Sequence, residues 1–368
     1  MKAGTEIVLV DSAEGLAALA DGWDALVRAA PRPSPFLLYD WVVEWWRHLA
    51  DGRSLAIGVA RRDGVLVGLL PLCVRRRRGV RVAEFLGGHE SALADLLLAP
   101  GEDADTATAL LAATRGAYDV ADLFGLPAGS RLQAAAPAAA LHMIERVSAP
   151  YLTMPDGFDE VYRTRTSSKT RNTHNRRLRQ LEQLGEVRFR VVRDPAELPA
   201  ALIEAQRLHE LRWAGRPDRS EFVTPNGLAF HRAALERLAP LDVIRIVLCE
   251  LDGKAIAHHY SFALDGRMIV HCLAFDPALG HTSVGLLTNL ETLRAASNEG
   301  LTTVEFLGGD ERYKLELADG LAPLYQAIGL ARGPRGVAVS RSRRATIDLR
   351  VRLRGSRTAR RIYERVAR

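Results

Sequence analysis

The same order of elements is written twice in this chain, and that repetition constrains its fold more than any single motif. In the first copy Ser54–Ala60 reads as a strand, Asp63-Gly64 as a hairpin turn and Val65–Val74 as a second strand. A basic turn, Arg75–Arg78, leads to a strand Val80–Leu86, a helix over about Ala104–Arg115, and a strand Val120–Phe124 closed by Gly125. In the second copy Val243–Leu251 is a strand, Asp252-Gly253 a turn, Lys254–Leu264 a strand, Asp265-Gly266 a turn and Arg267–Phe275 a strand. A helix over about Val284–Asn298 and a strand Thr303–Leu307 before Gly308-Gly309 complete it. Two helical stretches precede each copy: about Ala13–Ala29 and Leu38–Leu49 in the first, Glu197–Trp213 and Gly227–Leu238 in the second. From Asp-Gly turn to later glycine the spacing is 61 residues in the first copy (64 to 125) and 55 in the second (253 to 308). Equal order at nearly equal spacing argues for duplication.

One tempting match misleads. Ala-Glu-Phe-Leu-Gly-Gly at 83–88 resembles Val-Glu-Phe-Leu-Gly-Gly at 304–309, but aligning them leaves only 23 residues from turn to glycine in the first copy. The layout pairs Glu84–Gly88 with the strand ending at Phe275 instead. Between the copies, Phe158–Leu184 has no proline and reads as one basic helix carrying Lys169, Arg171, Arg176, Arg177 and Arg179. The expected organisation is therefore an N-terminal domain over 1–155, a basic linker helix over 156–186, a C-terminal domain over 187–339 and an Arg-rich tail over 340–368.

Hydrophobic residues make up 48% and charged residues 26% of the 368, a profile that supports a buried core in each of two domains. No window of ~18 apolar residues exists, so no membrane-spanning helix is expected. The apolar run before Asp11 reads as a first strand rather than a signal peptide, and the expected location is cytoplasmic. Cys73, Cys249 and Cys272 are far apart in apolar runs, with no metal-ligand spacing; they read as small buried hydrophobes, and no metal is expected. The net charge of +6 is unevenly placed: Ser340–Arg368 holds eleven arginines against Asp348 and Glu364, a local +9, so the rest carries about −3. Such a tail reads most simply as a solvated C-terminal helix, and it could also meet phosphate-rich partners, a membrane surface or nucleic acid.

The strand Arg267–Phe275 runs into Asp276-Pro277-Ala278-Leu279-Gly280-His281-Thr282-Ser283-Val284-Gly285-Leu286 and then a helix. A loop entering a helix presents free N–H groups and the positive end of the helix dipole. Gly280 and Gly285 permit close backbone approach, and Thr282 and Ser283 add hydroxyls. A pyrophosphate suits such a place; an N-cap by Thr282 or Ser283 explains the hydroxyls as well.

Strand, two helices, three antiparallel strands, helix, strand, beginning at Glu186–Val192, is an order that resembles the GNAT acyltransferase fold. Local strings sharpen this: Ser168-Lys169-x-Arg171 with Arg176, Arg179 and Leu181-Glu182; His209-x-x-Arg212-Trp213; Asp252-Gly253-Lys254-Ala255-Ile256-Ala257; Phe230-His231; and Gly308-Gly309-Asp310-Glu311-x-Tyr313-Lys314. Together they resemble the BioF2-like, or CelD-type, acetyltransferases, a double-GNAT group related to the Fem aminoacyltransferases. The resemblance covers most of the chain and is strongest over about 160–320. It implies a mixed α/β (α+β) fold of two tandem GNAT-like domains, each a mainly antiparallel mixed sheet flanked by helices, followed by a basic C-terminal helix.

The resemblance further implies acyl transfer from acetyl-CoA or another acyl-CoA to an amine or hydroxyl of a small molecule or saccharide, in settings such as polysaccharide or secondary-metabolite biosynthesis. The donor site would comprise Leu273, Phe275, His281, Thr282, Ser283, Val284, Gly285 and Leu286. The family pattern is Gln/Arg-x-x-Gly-x-Gly/Ala; here Thr282 stands where a cation or amide is expected and Leu287 replaces the second small residue. For catalysis, Asp310 is the first candidate for base or acceptor anchor and Glu305 the second, with Tyr313 as acid because a phenol of pKa ~10 can protonate a thiolate. Asp310 as a helix cap and Tyr313 as a core aromatic are equally simple readings. His209, Arg212 and Trp213 share a helix face by spacing, so they form an acceptor face or a packed one. Lys314, Lys169 and Arg171 are candidate substrate or phosphate contacts.

In the first copy, Gly101-Glu102-Asp103-Ala104-Asp105 places three carboxylates at the corresponding helix entrance, which repels a phosphate, so that copy is expected not to bind CoA. Two rival functions stay open: a Fem-like transferase using aminoacyl-tRNA, weakened because the Fem helical arm has no counterpart, and a binding protein with dead acyl sites acting through its Arg-rich tail. A monomer or a homodimer fits equally.

Overall fold

A computed structural model describes residues 4–88, 92–214, 221–309 and 312–355. Contacts divide the chain into two units. One takes the described residues up to Tyr39, Ala50–Val147 and those from Pro323 on; the other takes Asp40–Leu49 and Ser148–Ala322.

The second unit is built on Asp-Gly turns. Asp252 and Gly253 (φ 49° and 77°) and Asp265 and Gly266 (φ 47° and 75°) both have positive φ at the two central positions, the condition for tight hairpins whose twist matches their strands. They join Ile244–Leu251, Lys254–Leu264 and Arg267–Phe275 into an antiparallel meander, with Val187–Val192 on its outer edge. Arg267–Phe275 then pairs in parallel with Thr303–Glu305, which pairs antiparallel with Tyr151–Thr153. A parallel pair needs a crossover, and Val284–Asn298 provides it. This helix packs Leu290, Leu293 and Ala296 against Met268, Val270, Val304 and Leu152 on one sheet face. On the other face, Leu198–Arg212, Pro225–Leu238 and Tyr39–Leu49 cover the sheet. Trp41, fully buried, meets Phe230 edge-on at 4.7 Å and Phe262 at 5.4 Å between ring centres. Thus a helix written before the first copy packs in the second unit.

The stretch expected as one helix over Phe158–Leu184 is two, Phe158–Arg165 and Ser168–Glu182. Ser167 is the reason: its hydroxyl accepts from Thr170 N–H at 3.0 Å, starting a new helix. The Arg171 guanidinium donates to the Arg163 and Thr166 carbonyls and so closes the helix before it.

In the first unit the meander recurs, but Pro71, which has no N–H to donate, interrupts it. Ile57–Arg62 and Val65–Leu70, joined by Asp63-Gly64 (φ 50° and 80°), pair with Thr5–Val10 and Leu97–Leu98 in a four-stranded sheet. Arg53–Leu55, Leu72–Arg77 and Val80–Phe85 form the other part. Val80–Phe85 is parallel to Val120–Pro127 and antiparallel to Leu72–Arg77, the relation Arg267–Phe275 has to its neighbours. The two tandem, mostly antiparallel halves are therefore present, and the Glu-Phe-Leu-Gly-Gly strings are not topological equivalents.

Besides the two-residue Leu97–Leu98, two strands escape the sequence pattern, Leu141–Thr153 and Gly320–Gly329. Each holds a proline (Pro150, Pro323), a residue that argues against a strand interior. The basic C-terminal helix spans Gly333–Gly355. It is docked rather than fully solvated: Val339 packs with Val80, Val82 and Val120, and Ile347 with Ile144 and Ile328. Arg343, between them on the same i, i+4 stripe, pairs with Asp122 at 2.8 Å. Among the described residues no helix is long and apolar enough to cross a membrane.

Replacing Trp41 by Ala empties the best-packed aromatic position between helix and sheet. The expected loss is about 3–5 kcal/mol, read as a lower denaturant midpoint.

Candidate functional site

Where Arg267–Phe275 ends and Val284–Asn298 begins, the second unit holds a cavity of about 580 Å³. Leu273 and Phe275 line it from the strand, and Ser283, Gly285 and Leu286 from the helix entrance. Lys169, Thr170, Thr173, His174 and Arg177 line it from the helix Ser168–Glu182, with Arg212 and Glu316 completing it.

The helix entrance is left without a side-chain cap. Ser283 sits in the left-handed region (φ 61°, ψ 30°) and its side chain makes no capping bond. Thr282 does not cap either: its hydroxyl is turned inward onto the Leu279 carbonyl at 2.7 Å, and the residue is buried. The first N–H groups of the helix, on Val284 and Gly285, have no intrahelical acceptors and sit at the positive dipole end. A Cβ on Gly285 would lie 2.8 Å from Phe275 Cδ1, so the approach of helix to strand requires glycine here. Val284 instead points into the core with Leu181, Cys249 and Leu287.

The cation missing from the loop comes from another helix. Arg177 Nη1 donates to the His281 carbonyl at 2.9 Å, which fixes the guanidinium beside the entrance. The His281 residue itself is exposed and does not line the cavity. Arg212 lies 4.9 Å from the Phe275 ring centre, a cation–π contact over the apolar wall. Lys169 is exposed at the mouth. Among the described lining residues, three cations stand against one carboxylate, Glu316. His174 is nearly buried, and its Nδ1 lies 2.8 Å from the Tyr162 hydroxyl; burial lowers its pKa, with the Glu316 carboxylate opposing that shift.

The other sequence candidates fall elsewhere. Glu305 is buried and paired with Arg267 at 2.8 Å, away from the cavity lining. Lys314 is buried with its Nζ donating to the Gly308 carbonyl at 3.0 Å, a tether for the glycine pair. Arg171 caps a helix, as described above. Asp310 and the side chain of Tyr313 lie outside the described residues. Thr170, Thr173, Arg177, Glu316 and His174 line the cavity without having been singled out as site residues from sequence. The signal for Arg177 was the charge run on its helix; Glu316, in a strand-poor stretch, carried none.

On the sheet face opposite the crossover helix lies a cluster of rings. His258 and Tyr260 alternate with His259, so His258 faces His209 and Phe222, and Phe222 in turn meets His231 and His271, whereas His259 faces the other way. His209 and Trp213 rings are 6.3 Å apart. Burial lowers the pKa of His209 to about 4, with Arg212 adding to the shift, and lowers His259 to about 4. His231 and His258 are pushed well below the usual range by complete burial. These imidazoles are neutral at physiological pH.

The first unit's corresponding entrance is closed. Glu102 is buried and forms a two-pronged pair with Arg62 (2.8 and 2.9 Å), and Asp103 caps the helix by accepting from Thr106 N–H at 3.1 Å. Carboxylates occupy the place an anionic ligand would need.

Residues 168–315 match the family model described as an acetyltransferase (GNAT) domain. The structure is similar to FemX (10% identity, 87% of this chain and 96% of that chain, TM-score 0.58). It is also similar to the C-terminal domain of a protein from Agrobacterium fabrum described as a lysylphosphatidylglycerol synthetase (12%, 88% and 95%, TM-score 0.57). A third similar structure is a tandem GNAT protein from the clavulanic acid biosynthesis pathway (14%, 89% and 99%, TM-score 0.50). At these identities the likeness establishes the fold. Among curated proteins none matches the chain by sequence. The chain thus has a tandem GNAT-like fold, and its residues 168–315 match a GNAT domain model.

Gly285→Ala forces the Phe275 ring to move. The expected destabilisation is about 1–3 kcal/mol, measured by denaturant unfolding, with the far-ultraviolet circular dichroism of the native state unchanged.

Proposed function

We propose that the second unit transfers an acyl group from CoA to an amine or hydroxyl of a small-molecule or saccharide acceptor. The observation that carries this reading is the pairing of an uncapped helix entrance at Ser283–Gly285 with Arg177, anchored on the His281 carbonyl in the same cavity. Backbone donors and a guanidinium together suit a pyrophosphate. Lys169 at the mouth suits a further phosphate, and the Leu273–Phe275 wall suits the uncharged arm of the donor.

In the transfer the acceptor nitrogen or oxygen attacks the thioester carbonyl, its proton passes to a base, and the thiolate leaves with a proton. Among the described residues Glu316 is the one carboxylate lining the cavity, and we assign it the base role. Asp310 and Tyr313 keep the roles of acceptor anchor and acid proposed from the sequence; Glu305, held by Arg267, serves the strand end. The first unit acts as a partner without a donor site.

Calorimetry with acetyl-CoA and longer acyl-CoAs tests the donor. Binding is expected, and Arg177→Ala is expected to weaken it about tenfold or more, since a hydrogen bond to a charged group contributes about 1.5–3 kcal/mol. The loss should shrink at high salt. Absence of binding to every CoA thioester would sink the reading. Glu316→Gln should lower turnover by about 100-fold or more while leaving acyl-CoA affinity intact.

A second donor, aminoacyl-tRNA, is favoured by the exposed Lys169, Arg176 and Arg179 on one helix and by the likeness to FemX. Retention of charged tRNA in a gel, abolished by joint Arg176→Ala and Arg179→Ala substitution, is the outcome that reading requires.

A further inference from the structure

The ring cluster beside the cavity holds a set of donors that acyl transfer does not use. His209, on the helix Leu198–Arg212, His258, on Lys254–Leu264, and Cys272, on Arg267–Phe275, each bring one ligand atom to a common point. The three atoms lie within 4.8 Å of one another. Cys272 is the cross-strand partner of Tyr260, and His258 is two residues before Tyr260. The two side chains therefore emerge on the same sheet face as diagonal neighbours. The helix carrying His209 packs on both strands.

Two observations point to a ligand rather than to packing alone. His258 has no exposed surface, and neither of its ring nitrogens has a hydrogen-bond partner. His231, also without exposed surface in the same ring cluster, repeats this on both nitrogens. A buried polar group left unpaired costs about 1–3 kcal/mol, and native interiors rarely leave such groups unsatisfied. The rings are also held in place: Phe222 stacks near-parallel to His258 at 6.4 Å and meets His209 edge-on at 5.0 Å.

We propose that His209, His258 and Cys272 form a binding site for a transition-metal dication, with Zn²⁺ the favoured ion. Two imidazoles and one thiolate are a borderline-soft set, which selects Zn²⁺ over Mg²⁺ or Ca²⁺. In a tetrahedral site with Zn–N of about 2.0–2.1 Å and Zn–S of about 2.3 Å, ligand atoms stand about 3.3–3.7 Å apart. Drawing the three atoms, which lie within 4.8 Å of one another, to that spacing is part of the proposed binding. Three protein ligands leave a fourth position for water or a ligand group, the arrangement of open zinc sites. The ion would join the helix to two strands at their most buried contact. His209 lies one turn before Arg212, and Cys272 precedes Leu273, so the metal would also fix two residues of the cavity wall.

Cobalt substitution of the full chain tests this. The protein is stripped by chelator dialysis and titrated with Co²⁺ alone. One Co²⁺ per chain is expected, with tetrahedral d–d bands and a thiolate-to-cobalt charge-transfer band, and equimolar Zn²⁺ should bleach both. Cys272→Ser, nearly isosteric, should remove the charge-transfer band, and His258→Ala should weaken Co²⁺ binding at least tenfold, each with unchanged circular dichroism. If His258→Ala fails to fold, the Cys272→Ser spectrum decides. A folded wild-type protein without these bands, or a charge-transfer band that survives Cys272→Ser, overturns the proposal. The readout needs no acyl donor, so it stands or falls separately from the assignment of CoA.

Discussion

The parallel pairing of Arg267–Phe275 with Thr303–Glu305 is the constraint on which the second unit depends. Two parallel neighbours cannot be joined by a turn, so a helix must cross over and return. That helix begins just beyond the end of the first strand, and its apolar residues, Leu290 and Leu293 among them, hold it against the sheet. The site follows from this geometry. A strand end supplies an apolar wall, a helix entrance supplies N–H groups, and Gly285 permits the two to approach closely enough to share one cavity.

The same topology in the first unit has been put to another use. Val80–Phe85 and Val120–Pro127 repeat the parallel pair, and Ala104–Thr114 repeats the crossover. Its entrance is occupied by its own carboxylates: Asp103 satisfies the backbone, and Glu102 is locked to Arg62. In the second unit the entrance is left uncapped and faced with cations from a separate helix. One backbone design thus carries one entrance filled by its own carboxylates and another left uncapped beside cations. The difference rests on a few side chains rather than on the fold.

What was legible in the sequence was whatever local chemistry decides. The Asp-Gly pairs announce their turns because both positions need positive φ, and the strands between them follow by alternation. Gly285 and the helix entrance were legible from the glycines and hydroxyls at the loop–helix junction, although the Phe275 ring that requires glycine there is a tertiary contact. Features set by tertiary contact were not. Leu141–Thr153 and Gly320–Gly329 form strands despite Pro150 and Pro323 because neighbouring strands hold them. The break at Ser167 rested on one hydroxyl. Arg177 stands beside the loop that lacks a cation at position 282, and only the fold brings it there across more than a hundred residues. His209, His258 and Cys272 carry no spacing signal because each comes from a different element.

The central claim is that a donor's phosphates sit on the helix entrance at Ser283–Leu287 beside Arg177. Hydrogen–deuterium exchange with and without acetyl-CoA tests it at the backbone itself. The account predicts selective slowing of exchange at the Val284–Leu287 amides and on the facing stretch of Ser168–Glu182, with the corresponding Asp103–Ala107 amides of the first unit unchanged. Binding that leaves 283–287 unprotected, or that protects the first unit's entrance instead, would contradict it.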